Sequence, residues 1–364
     1  MVVSIVRALV WFCAAGTFGA FVALFAARVM LPGPAGPVET VVVERAIRLS
    51  SGLPLYADLE AAAPGIPPAL PAISALGFAL FGESPAIPRI LTLVAMIGAA
   101  WWLASILRRE TSSWTFGVAG AGLLLAGYGL LGGPFGVARP EPLMLLLLLA
   151  GGDALLRGHG ATGAMWAGLL FSLAALTHGA ALAVAALVAI HLTAVSRPQA
   201  LGFATALALG YAGTHVALSL HAGPWYNYDA FDAVILAMGL DPLGLLRHLG
   251  QTLLGPLNVL ALTTLMAFAL PVKPWQGPGG TWMCIGGGLL LVALLATQSP
   301  AAGPAAALLS AMALALVGPL CMQRVTRHLA AWPGSTRMSG QSMVLTALAL
   351  QFVALASRVP PPRF

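Results

Sequence analysis

The chain has 364 residues, 59% of them hydrophobic and only 8% charged, with a mean hydropathy of +0.93. Soluble domains carry about 25% charged residues, so this composition excludes a protein that covers itself with a water-facing surface. The net charge of +6 does not point to nucleic acid, because the basic residues never cluster and Lys273 is the single lysine. In a membrane protein such charges report orientation instead.

A helix needs roughly 20 apolar residues to cross the hydrocarbon core, and such stretches recur along the whole chain. Long Leu/Ala/Val/Gly runs such as residues 143–150 argue against the short alternating strands of a closed barrel. The first span is expected over about residues 6–30, retained rather than cleaved as a signal peptide. A mixed stretch at 31–89 follows. Further spans are then expected near 90–107, 114–132, 141–156, 161–177, 179–195, 201–220, 252–270, 281–297, 302–322 and 341–357. The expected architecture is all-α and polytopic, with about ten or eleven transmembrane helices in a single domain over 1–358. Residues 359–364 are read as a disordered tail, and no soluble domain is expected. Cys13, Cys284 and Cys321 lie inside apolar runs without metal-ligand spacing, and are read as small core residues.

Charge sets the threading. With Arg7 inside, the breaks holding Arg108, Arg109, Arg157, Arg197, Lys273, Arg324, Arg327 and Arg337 are all inside, provided residues 67–81 do not cross. That segment is short and opens on prolines, so it is read as a helix at the outer surface. Two substantial outer loops result, 31–89 and about 221–250. The acids sort unevenly: Glu39, Glu44, Asp58, Glu60, Glu83, Glu141, Asp229, Asp232 and Asp241 fall outside, and only Glu110 and Asp153 inside. Polar chemistry is therefore expected at the outer face.

Within the first loop, residues 37–50 (PVETVVVERAIRLS) form an amphipathic helix at ~100° per residue. Val42, Val43, Ala46, Ile47 and Leu49 share one face, while Glu44, Arg45 and Arg48 take the opposite, solvated one. Glu44 has an i,i+4 partner in Arg48. Glu39 points into the apolar face with no such partner, which suits a general base as well as a helix N-terminal acid. Arg139 and Glu141 sit at the outer mouth of a span. Thr177, His178 and Gly179 break two apolar segments, and Trp225, Tyr226 and Tyr228 read as an interfacial belt or a sugar-stacking surface.

Taken in order, these signals resemble the GT-C superfamily of membrane glycosyltransferases, in the branch of protein O-mannosyltransferase and aminoarabinose transferase relatives. The residues that carry the resemblance are Glu39, then Gly52, Leu55 and Tyr56, then Pro67-Pro68-Ala69-Leu70, Phe81-Gly82-Glu83-Ser84 and Arg89, and finally Ala138-Arg139-Pro140-Glu141-Pro142-Leu143. The likeness covers roughly residues 30–200. Glu stands at both acid positions where the family commonly has Asp, and Ile66 and His178 stand where it often has Lys.

The resemblance implies a glycosyltransferase at the outer face of a bacterial inner (plasma) membrane, with the N-terminus cytoplasmic. Sugar would pass from a polyprenyl-phosphate carrier to an acceptor hydroxyl on a glycan, lipid or protein. Glu39 takes the catalytic acid position, with Glu44 as fallback, and substrate binding falls to Arg89, Arg139, Glu141, Tyr56 and His178. No cofactor is called for, and a divalent metal stays open. Two other readings remain: an inactive GT-C-fold protein that binds a lipid carrier or scaffolds a complex, and a secondary transporter. Neither an inverted repeat nor midplane-interrupted helices are visible to support the latter.

Overall fold

A computed structural model describes residues 2–56, 66–128, 137–222, 225–227, 258–269, 279–296 and 303–330, with a few further positions in 243–250 and 346–352. Asp58, Glu60, Tyr228, Asp229, Asp232, Asp241, Lys273, Arg337, most of the second outer loop and the tail 359–364 lie outside the described residues.

Every regular element among the described residues is helical. In chain order these are α1 (Val2–Val29), α2 (Pro37–Ser50), α3 (Ala69–Phe81), α4 (Ala86–Thr111), α5 (Trp114–Tyr128), α6 (Glu141–Arg157), α7 (Gly160–Thr177) and α8 (Ala180–Val195). Then come α9 (Arg197–Leu207), a π turn (Ala208–Ala212), α10 (Gly213–His221), α11 (Asn258–Ala269), α12 (Gly279–Ala296) and α13 (Gly303–Ala330). Among the described residues, six helical stretches are long and apolar enough to cross a membrane: Ser4–Val29, Ala86–Thr111, Gly160–Thr177, Arg197–His221, Gly279–Ala296 and Ala306–His328. Ala69–Phe81, Trp114–Tyr128 and Ala180–Val195 are apolar but shorter. The chain is an all-α, multi-pass membrane protein.

The chain forms two compact units, one of residues 1–22, 100–133 and 240–364, the other of 23–99 and 134–239. In the first, α13 is almost wholly buried and packs against α5, α11 and α12. Small residues set the closeness of approach: a Cβ on Gly127 of α5 would stand 2.6 Å from the Ala311 methyl. At the end of α4, the Trp282 indole N–H donates to Glu110 at 3.4 Å, and the Gln323 amide donates to the Thr111 carbonyl at 2.6 Å.

The second unit is built on α7, flanked by α6 and α9. Phe171 meets Phe203 edge-on at 5.2 Å, and a Cβ on Gly168 would come within 2.5 Å of the Phe203 carbonyl. On top of this bundle lie α2 and α3. Proline at the first turn and Glu39 beside it favour the start of α2, Arg48 suits its last turn, and Gly52 (φ 73°) follows its end. Val43 and Ala46 of α2 pack on Ala75 and Phe78 of α3. Val41 and Val42 pack on Ile66, Leu70 and Ala138. The chain leaves α3 through Gly82 at φ 85°, a conformation that favours glycine.

The 13 residues of α3 span only about 20 Å, against a hydrocarbon core of about 30 Å. Arg89, near the start of α4, donates to carbonyls at and just past the end of α1. The end of α1 and the start of α4 therefore lie side by side.

Candidate functional site

Two ion pairs, Glu39–Arg89 and Glu141–Arg139, belong to the same unit as the small apolar cluster formed by Val41, Val42, Ile66, Leu70 and Ala138. The first joins Glu39 and Arg89, both with fully buried side chains, at 2.5 Å. The other Glu39 oxygen, Oε2, accepts the Ala35 amide at 2.9 Å. The Arg89 guanidinium also donates through Nη1 to the carbonyls of Arg28 (3.1 Å), Val29 (3.2 Å) and Leu31 (2.7 Å), and through Nη2 to Gly33 (2.6 Å). Arg89 thus satisfies the open carbonyls at the C-terminus of α1 with a positive charge, where the helix dipole favours one.

This arrangement bears on two readings from sequence. Glu39 does point into the apolar face, but it has a partner fifty residues away. Arg89, expected to face a phosphate, is enclosed with its donors committed to the protein. The amphipathic reading of α2 also needs correction at Arg45, which is 6% exposed rather than solvated. Its guanidinium donates to the Ile66 carbonyl at 2.7 Å and lies 4.4 Å from the Tyr56 ring centroid. Tyr56 is buried, donating its hydroxyl to the same carbonyl at 2.9 Å and packing on Tyr226, ring centroids 5.1 Å apart. The backbone amide of Tyr56 donates to the Ala222 carbonyl at 2.8 Å. Tyr56 therefore anchors the first loop to the end of α10, and burial pushes the Tyr226 phenol up to about 12. Arg48 donates to the Pro54 carbonyl at 3.1 Å, and Glu44 is half-buried.

The second pair has a different character. Arg139 precedes α6, and its side chain keeps 17% of its surface exposed. Glu141, in the first turn of α6 and nearly buried, receives Arg139 Nη2 at 2.5 Å and Nε at 3.2 Å to both oxygens. This fork-to-carboxylate contact fixes the guanidinium plane. Thr92, one turn after Arg89 on α4, accepts the Arg139 amide at 3.2 Å and so ties the two pairs to the same helix end. Sequence reading missed Thr92, though its spacing of three from Arg89 places both on one helix face.

His178, between α7 and α8, is within electrostatic reach of this pair. Burial pushes its imidazole below its ordinary value, Glu141 pulls it up, and Arg139 pushes it down, with a net lowering. Its Nδ1 accepts the Ala180 amide at 3.2 Å. The loops that follow α1, precede α4 and α6, and follow α7 and α10 are thus brought to one end of the unit. Of the expected site residues, Glu39 and Arg89 form one group, Arg139, Glu141 and His178 a second, and Tyr56 stands in the aromatic cluster. Among the described residues, no three His, Cys, Asp or Glu side chains are placed to hold a metal ion.

The architecture matches a solved structure. The crystal structure of ArnT from Cupriavidus metallidurans bound to undecaprenyl phosphate superposes with a TM-score of 0.61 at 12% identity, covering 95% of this chain and 77% of that one. The chain has the fold of ArnT. The apo form of ArnT gives a TM-score of 0.60 at 14% identity, covering 95% of this chain and 76% of that one. No protein-family model and no curated protein matches the sequence. The likeness to ArnT covers 95% of this chain, well past residues 30–200, where the motifs lie.

Proposed function

We propose that the chain is a GT-C-type glycosyltransferase that takes its sugar from a polyprenyl-phosphate carrier at the outer face of a bacterial inner membrane. The observation that carries this reading is Arg139. It is an arginine locked in orientation by Glu141, still partly exposed, at a loop-rich end of an ArnT-like fold. A guanidinium so held offers parallel donors to a phosphate. In the reaction, the acceptor hydroxyl oxygen bonds to the anomeric carbon as the sugar–phosphate C–O bond breaks. The electron pair leaves with the polyprenyl phosphate, whose charge Arg139 meets, and the hydroxyl proton passes to a carboxylate.

Of the two first-loop candidates for that carboxylate, Glu44 suits the task better. Glu39 has one oxygen on Arg89, the other on the Ala35 amide, and no exposed surface, so it acts here as a clamp. Glu44 retains access on α2. The charge pattern orients the molecule: Arg157 and Arg197, at the end of the unit away from Arg89 and Arg139, face the cytoplasm together with the N-terminus.

The enclosure of Glu39 also favours a second reading, a GT-C-fold protein that holds a polyprenyl phosphate without transferring sugar. Mass spectrometry of envelope glycans and glycolipids separates the two. A deletion strain should lose a glycan species that wild type restores and Glu44→Gln does not. If Glu44→Gln restores it fully, Glu44 is not the base. If deletion changes no species, the transferase reading fails.

A further inference from the structure

His178 is placed unusually for a ring that the proposed reaction leaves without a task. It follows α7, and its Nδ1 accepts the Ala180 amide, the first N–H of α8, at 3.2 Å. That amide is among those a helix cannot satisfy internally, and the residue ahead of it, Gly179, has no side chain to cap it. The contact requires Nδ1 to carry no proton, so the neutral ring holds its hydrogen on Nε2. Among the described residues, the charges acting on the ring are Glu141 and Arg139. The helix α3, which also touches α7, has no titratable residue, and Arg197 of α9 lies at the far end of the bundle.

We propose that His178 is a proton-operated phosphate ligand: neutral, it caps α8; protonated, it joins Arg139 in holding a phosphate group. The proton arrives from solvent at Nδ1, where it displaces the Ala180 N–H. A capped, neutral site becomes one with an imidazolium, a released helix-terminal amide and a guanidinium, all suited to an anion. An anion bound there stabilises the imidazolium, so binding and proton uptake are linked. The free imidazole titrates below its ordinary value because it is buried, and the bound one titrates higher. Affinity therefore rises as pH falls through the bound-state value, and levels off below the free-state value. This inference rests on Arg139 lying at the phosphate site.

The test measures binding of a polyprenyl phosphate to the full-length protein in phosphatidylcholine nanodiscs, from about pH 8 to about pH 5.5, across the range where histidine titrates. Inorganic phosphate and the corresponding polyprenol serve as competitors. His178→Asn keeps an acceptor for the amide two residues on, as an Asx-turn does, but cannot titrate. His178→Lys carries a fixed charge. Because the ligand's own titration is common to all three proteins, only differences between them count. Wild type should gain affinity by up to about tenfold per pH unit relative to His178→Asn over part of the range. His178→Lys should hold an advantage over His178→Asn across the whole range, of the size that wild type reaches only at the acid end. Equal slopes for wild type and His178→Asn would overturn the inference while leaving the phosphate site intact. Failure of wild type to bind the polyprenyl phosphate at any pH would overturn the site itself. Competition by inorganic phosphate but not by polyprenol would show that the group recognised is phosphate. Competition by polyprenol alone would count against a phosphate ligand at His178.

Discussion

Replacing Arg89 with methionine should be among the most damaging single changes in the molecule. The substitution keeps most of the side-chain volume but removes the guanidinium that meets Glu39 and four carbonyls. A carboxylate with no exposed surface is then left without its counter-charge. Breaking a buried pair from one side costs about 3–5 kcal/mol, which lowers the folded-to-unfolded ratio by roughly three orders of magnitude. Glu39→Gln should be milder, about 2 kcal/mol, because the amide oxygen can still accept from Arg89 Nε and the guanidinium keeps its carbonyls. The double variant Arg89→Met with Glu39→Leu should recover part of the loss, since apolar groups of similar shape replace the pair. The assay is unfolding in mixed micelles followed by helix circular dichroism, with the four proteins forming a double-mutant cycle. If Arg89→Met alone matches wild type, or if the double variant is no better than Arg89→Met, the buried pair is not what stabilises the junction of α2 with α4.

Three further changes probe the rest of the unit. Arg139→Lys preserves charge but loses the planar fork, so polyprenyl-phosphate affinity measured in nanodiscs should fall by about 1.5–3 kcal/mol with little change in stability. Tyr56→Phe keeps the ring against Tyr226 and Arg45 but removes the hydroxyl bond to Ile66, and should cost about 1 kcal/mol in the same unfolding assay. Gly168→Val forces a branched side chain against the Phe203 carbonyl, where even a Cβ stands at 2.5 Å. It should destabilise by at least about 1–3 kcal/mol, seen as a lower unfolding midpoint, while Gly179→Ala, with open space around it, should not.

The elements were legible because their signals are local. A run such as residues 90–107 declares a span by length and hydropathy, and the 3.6-residue period of residues 37–50 declares α2. Prolines and short length kept residues 67–81 out of the span count, and Ala69–Phe81 is a helix of only 13 residues. The site was only half legible. Glu39 showed its burial through helical phase, but its partner lies on another helix, and nothing in the intervening sequence encodes that distance. Arg45 fell on the polar side of the wheel because its neighbours there are charged. What buries it is the Ile66 carbonyl and the Tyr56 ring, both brought over by the chain after α2. Phase on one helix cannot foresee what another segment lays on top of it.

The two ion pairs look alike in sequence, an acid and an arginine near a span mouth, yet they differ in the property that decides their use. Arg89 is fully enclosed, and its donors reach five acceptors of the protein itself. Moving it to a ligand would leave Glu39 and several carbonyls unsatisfied, so its charge is spent on joining α1, α2 and α4. Arg139 is oriented by Glu141, and its side chain keeps 17% of its surface exposed. Burial, more than charge or position along the chain, sets the first pair apart from the second, and Thr92 on the same turn of α4 keeps the second in register with the first.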